Sequence, residues 1–331
     1  MSLLVGIYSP CWGHTYIAKG SGKIYALRSL AEGSSLCVFE QSKLQGEGPL
    51  SVVTLDALGE PLAEITTAGK HSCHITLLEH QAVLADYTSG TLSLFELDEE
   101  GIPQPNPQLI AFEGSGPHPT RQTAPHIHSS WISPDGKMLI VVDLGSDVLY
   151  RFDVTDGRVV LPMAEPISLP SGCGPRHCLF SPEGDILYVA TELSDEVLVY
   201  RTSDFTLIDR HVVHAENPQG GGHILLSPNG EYLYVSMRVS STAGEKSSKI
   251  GDGVAVFKCC GGGKLELLQY KTTGRHPRHF AITEDGNRLI VACRDDNRIE
   301  IYPIDKGGGL MGECVETINT PSPVYVDENS N

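Results

Sequence analysis

Apolar residues along this chain come in short solid runs or in strict alternation, broken every few positions by glycine, proline or a charge. Alternation with period two marks a half-buried strand, a short solid run marks a fully buried one, and neither matches the 3.6-residue stripe of a helix. Four segments share one plan: HSSWISPDGKMLIVVDLGSDVLYRFDV from His128, RHCLFSPEGDILYVATELSDEVLVYRT from Arg176, GHILLSPNGEYLYVSMR from Gly222 and RHFAITEDGNRLIVACRDDNRIEIYPI from Arg278. Each opens with an apolar strand, turns through a Ser-Pro-x-Gly-like tetrad and returns as a second strand. A polar turn and an alternating third strand usually follow. Gly and Pro preset the dihedrals such tetrads need. Fainter copies are CHITLLEHQAVLADYTSGTLSLFEL from Cys73 and HTYIAKGSGKIYALRS from His14.

The second residue of each copy serves as its anchor: Thr15, His74, Ser129, His177, His223 and His279, at steps of 46 to 59 residues. A further step of 45 lands on Val324, in the strand-like PSPVYVD. Repeats of about 40–50 residues holding several short strands are the signature of propeller blades. Seven anchors predict an all-β, seven-bladed β-propeller forming a single domain over residues 1–331. PSPVYVD has no hairpin after it. The closing blade is therefore expected to be shared between this C-terminal strand and the N-terminal SLLVGIYS of residues 2–9, which removes free sheet edges.

In each copy the tetrad reverses the chain and brings the hairpin's open ends together. If the first strands line a channel, three positions per copy meet at one mouth. Before the anchor stand Cys73, His128, Arg176, Gly222 and Arg278. At the anchor stand His74, Ser129, His177, His223 and His279. At the end of the second strand stand Tyr87, Leu144, Glu192, Arg238 and Arg294. The repeated anchor histidines fit either a ring nitrogen bridging neighbouring blades or direct contact with a ligand. The flanking positions differ from blade to blade, which is how repeated units build an asymmetric site. His128, Arg176, Glu192, Arg238, Arg278 and Arg294 are accordingly the site candidates. Inter-blade ion pairs, such as Glu192 with Arg176 or Arg238, are the alternative. EGSGPHPTRQTAP (113–125) and VSSTAGEKSSKIGDG (239–253) lead to the same mouth, as solvated linkers or as lids.

The net charge of -17 opposes nucleic acid and anionic membranes as partners, but leaves room for an anionic small molecule bound in a local positive field. No run reaches a membrane span and the N-terminus lacks a basic leader, so a cytoplasmic protein with free thiols is expected, its nine cysteines forming no Cys-x-x-Cys knuckles. His126-Ile127-His128 places two imidazoles on one strand face, and Glu192 is a conceivable third zinc or manganese ligand. No second pair at ligand spacing accompanies them, so no metal or other cofactor is expected.

The chain from about residue 60 onward resembles the seven-bladed propeller lactonases, which include bacterial 6-phosphogluconolactonase and fungal enzymes that cyclise carboxymuconate. The carriers are Ser72-Cys73-His74, Pro125-His126-Ile127-His128-Ser129, Gly174-Pro175-Arg176-His177, Glu192-Leu193, Ser227-Pro228-Asn229-Gly230, Arg238 and Pro277-Arg278-His279-Phe280. The middle residue of the His-x-His motif, often Pro in the family, is Ile127 here, and Asp86-Tyr87-Thr88-Ser89-Gly90 replaces an Asn-Tyr-Gly-Gly run. The resemblance implies catalytic roles for His128, Arg176, Glu192 and Arg238, the four that comparison of the copies also selects. His74, His126, His177, His223, Arg278, His279 and Arg294 are the candidate substrate-binding residues around them. The implied activity is metal-independent hydrolysis of an anionic sugar lactone such as 6-phosphogluconolactone. A carboxy-cis,cis-muconate cycloisomerase is the alternative within the family, and a non-catalytic interaction scaffold the alternative outside it. A positive pocket within the acidic protein separates enzyme from scaffold.

Overall fold

The computed structural model describes residues 3–9, 22–29, 35–41, 51–55, 61–213, 220–238, 251–305 and 307–328. They divide into two compact units, one spanning Gly6–Gly174 and the other Pro175–Glu328 together with Met1–Val5.

In the Gly6–Gly174 unit, β1 (Leu3–Ser9, which straddles the boundary), β2 (Gly22–Ser29), β3 (Ser35–Gln41), β4 (Ser51–Leu55) and β5 (Pro61–Thr66) hydrogen-bond in sequence order. A four-stranded sheet follows, of β6 (Ser72–Leu77), β7 (Gln81–Asp86), β8 (Thr91–Glu96) and β9 (Gln108–Ala111). The next sheet holds β10 (Ile127–Ile132), β11 (Met138–Asp143) and β12 (Val148–Thr155), with β13 (Arg158–Val159) and β14 (Ile167–Ser168) both pairing with β12.

The second unit repeats the plan. Its sheets are β15 (Pro175–Phe180), β16 (Ile186–Thr191), β17 (Glu196–Arg201) and β18 (Thr206–Val212); β19 (Gly221–Leu226), β20 (Tyr232–Met237), β21 (Gly253–Cys260) and β22 (Lys264–Thr272); and β23 (Pro277–Ile282), β24 (Arg288–Cys293), β25 (Arg298–Pro303) and β26 (Glu316–Asn319). β27 (Pro323–Glu328) packs beside β23 and neighbours β1, whose first residues belong to this unit. The pairs within each of these sheets are antiparallel. Helical structure among the described residues is confined to 3-10 turns such as Gly261–Gly263 and Arg294–Asp296.

The expected tetrads form one recurring turn. Ser133 accepts from Gly136 N–H at 2.9 Å through its carbonyl and from Met138 N–H at 2.9 Å through Oγ. Ser181, Ser227 and Thr283 repeat both bonds with Gly184 and Ile186, Gly230 and Tyr232, Gly286 and Arg288. The four glycines sit at φ of 69° to 76°, a left-handed conformation that other residues adopt only at a cost.

Second strands are buried along their whole length, as in β7, β16 and β20. Leu92, Leu94, Ile127, Leu139, Val141 and Phe152 share one such layer between the β6–β9 and β10–β12 sheets. Tyr234, Val256, Phe280, Leu289, Val291 and Tyr302 share another between the β19–β22 and β23–β26 sheets.

His74, Ser129, His177, His223 and His279 are each the third residue of a first strand. In β27 the third residue is Tyr325, so the position matching these anchors is Tyr325 and not the Val324 that counting predicts. A slip of one residue exchanges the faces of a strand. Val324 and Val326 are buried, at 7% and 0% exposure, while Tyr325 stacks on the His279 ring with centroids 4.3 Å apart. Thr15 lies outside the described residues, as does most of the 239–253 connection.

Every one of these five first strands carries a break in register beside its anchor: between Ser72 and His74, Ile127 and Ser129, Pro175 and His177, Gly221 and Ile224, Pro277 and His279. Such bulges take a residue out of the ladder and re-aim its side chain. The residues concerned are Cys73, His128, Arg176, Gly222 and Arg278, the variable position of the repeat, joined in β19 by the anchor His223 itself.

Candidate functional site

In the second unit, Arg176, Glu192 and Arg238 are brought into direct contact. Glu192 follows β16 and places Oε2 3.1 Å from Arg176 Nε and 2.8 Å from Arg238 Nη2. Both arginines are nearly buried, at 3% and 5% exposure. Backbone carbonyls complete their coordination. Arg176 Nη1 donates to Gly222 O at 2.8 Å, while Arg238 donates from Nε to Gly220 O at 3.1 Å and from Nη2 to Gly221 O at 3.2 Å. Gly222 must lack a side chain, because a Cβ there would lie 2.4 Å from Ser236 Oγ and 3.2 Å from Arg238 Nε.

The anchor histidines of this unit form a row. Arg176 Nη1 lies 3.1 Å from His177 Nε2, and His177 Nδ1 lies 3.0 Å from His223 Nδ1. A guanidinium only donates, so His177 Nε2 accepts and its proton sits on Nδ1. His223 Nδ1 then accepts in turn, which leaves its proton on Nε2. The His223 and His279 rings stack with centroids 3.9 Å apart, and His279 Nδ1 accepts from Val326 N–H of β27 at 3.4 Å. In the other unit His74 Nδ1 accepts from Ser130 N–H of β10 at the same 3.4 Å. These are contacts between first strands of neighbouring sheets, of the kind the bridging alternative requires.

Arg278 stands at the bulge of β23, partly buried, and Arg294 opens the 3-10 turn after β24 with Nε 2.6 Å from Asp295 Oδ1. Between them lies a residue that comparison of the copies did not select. His276 is 6% exposed, its Nε2 is 3.5 Å from Arg238 Nη1, and its Nδ1 is 3.6 Å from Asp295 Oδ2. Its signal was present in the sequence: His276 stands three residues before the anchor His279, where His126 stands before Ser129. Burial, then Arg238, Arg294, Arg278 and Arg176, all push its pKa far below the usual imidazole range, so it stays neutral. Burial also lowers the pKa of Arg238, Glu192 opposes that shift, and Arg278 and Arg294 add to it.

The unfolded chain protonates this imidazole below its ordinary pKa of 6.5 and the folded chain does not. The unfolded state therefore binds more protons as pH falls, and stability contributed by this residue is lost progressively below pH 6.5. Wild type is expected to lose about 2 kcal/mol more than His276→Gln between pH 6.5 and pH 5 in urea unfolding. Parallel stability–pH curves for the two proteins would remove His276 as the cause.

In the first unit, His128 occupies the bulge of β10 at 6% exposure. Tyr87 meets its ring edge-on at 5.6 Å and stacks on His126 at 4.5 Å. His126 Nδ1 donates to Tyr87 O at 2.9 Å. Cys73 Sγ sits 4.0 Å from His128 Nδ1 and donates to His128 O at 3.2 Å. The 113–125 connection is folded onto this group. Buried Gln122 donates to Leu144 O and Asp147, and Arg121 Nη2 donates to Tyr87 Oη at 3.2 Å. Among the described residues no three His, Cys, Asp or Glu side chains converge as a metal-binding group.

The family model "Lactonase, 7-bladed beta-propeller" matches residues 25–328. A 6-phosphogluconolactonase of Bacillus subtilis (strain 168) is 29% identical over 94% of this chain and 86% of its own length. A 6-phosphogluconolactonase of Formosa agariphila is 31% identical over 86% of this chain and 82% of its own length. A crystal structure from Bacteroides fragilis NCTC 9343 superposes with a TM-score of 0.84 at 31% identity, covering 98% of this chain and 96% of that one. The periplasmic gluconolactonase of Pseudomonas aeruginosa, 22% identical with a TM-score of 0.84 and 98% coverage of both chains, shares the fold.

Proposed function

The chain belongs to the seven-bladed β-propeller lactonase family, and from that premise we propose that it hydrolyses an anionic sugar lactone, namely 6-phosphogluconolactone. The observation that carries the choice of an anion is electrostatic. In a chain of net charge -17, four guanidiniums, of Arg176, Arg238, Arg278 and Arg294, gather around one buried imidazole and outnumber the carboxylates of Glu192, Asp252 and Asp295 beside them. A fixed, buried positive field is what an anionic substrate and an oxyanion require, and a scaffold has no need of it.

In the proposed reaction His128 is the general base, its imidazole taking a proton from water as the water oxygen bonds to the lactone carbonyl carbon. Arg176 stabilises the oxyanion. The ring C–O bond then breaks, and the proton reaches the departing ring oxygen, with Glu192 orienting or relaying it. Arg238, Arg278 and Arg294 hold the phosphate, a task suited to guanidinium forks. His74, His126, His177, His223 and His279 line the substrate site or support it. The assignment of His128 and Arg176 to one reaction rests on their shared place in the repeat, the bulge residue before the anchor.

We also propose a single-domain ring in which β27 and β1 belong to the closing blade. No helix among the described residues is long and apolar enough to cross a membrane. The proposed setting is the cytoplasm, with a small anionic molecule as the partner and neither nucleic acid nor membrane.

The test is turnover of a panel of sugar lactones and muconates with and without EDTA. Rapid consumption of 6-phosphogluconolactone, unchanged by chelation, is expected. Turnover of muconates alone would transfer the chain to the cycloisomerases. Activity lost to EDTA and restored by a divalent ion would overturn the metal-free scheme.

A further inference from the structure

His276 has no part in the reaction above, yet the charge cluster of the second unit is arranged around it. We infer that His276 is the positioning residue of Arg238: its ring nitrogen holds Nη1 of that arginine and so fixes where the guanidinium points. The inference rests on the anion-binding role given to Arg238 in the proposed function.

Three observations carry it. The first is the geometry of Arg238. Its Nε and Nη2 sides are held by Gly220 O, Gly221 O and Glu192, and Nη1 meets His276 Nε2. A guanidinium donates and never accepts, so Nε2 must be the unprotonated nitrogen of a neutral ring. The proton then sits on Nδ1, facing Asp295 Oδ2 at 3.6 Å, and Asp295 is itself held by Arg294.

The second is the way the backbone pins His276. Its N–H donates to Asp252 Oδ2, and its carbonyl accepts from Arg294 N–H at 3.1 Å. The ring hangs from a segment with little freedom to turn.

The third is the conformation. His276 has φ of 56°, in the left-handed region, and the copies β15 and β19 carry Gly174 and Gly220 three residues before their anchors, at φ of 55° and 84°. The hairpin end therefore asks for glycine, and a histidine held there bears a strain that glycine would not. His71 shares the conformation at φ of 54°, but its Nδ1 bonds Thr88 Oγ1 and touches no arginine in that contact. In the β23 copy the strained residue meets a guanidinium of the cluster.

The groups facing His276 are Arg238, Arg294, Arg278 and Arg176 on the cationic side, with Asp295 and Asp252 as the carboxylates. Protonating the ring would set a cation against Arg238 and abolish the acceptor. Burial among these arginines keeps that event below the working pH range.

The experiment uses the full chain, 6-phosphogluconolactone as substrate and 6-phosphogluconate as binding probe. His276→Gly removes the ring and relieves the backbone, so the thermal midpoint is expected to stay within a few degrees of wild type. KM for the lactone and Kd for 6-phosphogluconate are expected to rise about 10–100-fold, the loss of one charge-assisted hydrogen bond, with kcat little changed. His276→Gln offers an amide oxygen to Nη1 and should recover part of that loss. The deciding measurement is a double-mutant cycle. If His276 works through Arg238, then His276→Gly has no further effect on KM or Kd in an Arg238→Ala background. Additive effects, or a His276→Gly protein with wild-type KM and Kd, overturn the inference while the lactonase reading stands. A wild-type chain that neither turns over the lactone nor binds the product overturns both.

Discussion

His128→Ala is expected to lower kcat by about 10²–10⁴-fold, the usual loss when a general base is removed, with a modest change in stability. His128 stands at a bulge, outside the ladder, and its neighbours Tyr87 and Cys73 keep their own partners without its ring. His279→Ala is the control. Its Nδ1 accepts from Val326 N–H, and its ring lies between His223 and Tyr325. Removing it should lower stability by about 1–3 kcal/mol, as a donor loses its partner, and leave turnover well above that of the His128 variant. Steady-state kinetics and urea unfolding on both proteins decide the matter. An early-melting but active His128 variant beside a stable but dead His279 variant would reverse the division between site and scaffold.

Glu192→Ala should be the most destabilising change in the cluster, by about 3–5 kcal/mol. Glu192 is the carboxylate between Arg176 and Arg238, and truncating it leaves two guanidiniums at 3% and 5% exposure without their shared counter-ion. The loss comes less from the attraction itself than from stranding desolvated charge. Glu192→Gln keeps the shape and one acceptor, and should cost less. Denaturant unfolding of both variants checks the size and the order. Equal stability of wild type and Glu192→Ala would show that the arginines are satisfied by the carbonyls of Gly220, Gly221 and Gly222.

The sequence made the sheet plan legible because its strands and turns are local. Ser133 to Gly136 carries a turn in its own side chains, and three more copies carry the same one. It also pointed to Glu192 with Arg176 or Arg238, because the copies differ at those positions; the structure joins all three. Counting failed at the end of the chain. Val324 follows from the spacing, whereas aligning Pro323 with Pro175 and Pro277 leads to Tyr325. The bulges were invisible because a register break arises between two strands and leaves no mark in the composition of either. His276 escaped because the comparison began one residue before the anchor, while the hairpin end reaches back to Arg294 N–H bonded to His276 O.

The glycine at the bulge of β19 has a wider consequence. Equivalent sheets set side by side would present equivalent side chains, and equivalence offers no preferred spot for a ligand. At Gly222 the series omits a side chain, and the space a Cβ would need is taken by Ser236 Oγ and the Arg238 guanidinium, while Arg176 Nη1 bonds the Gly222 carbonyl at 2.8 Å. Symmetry among repeats is thus broken by subtraction: deleting one side chain lets the arms of its neighbours converge without any new loop or element.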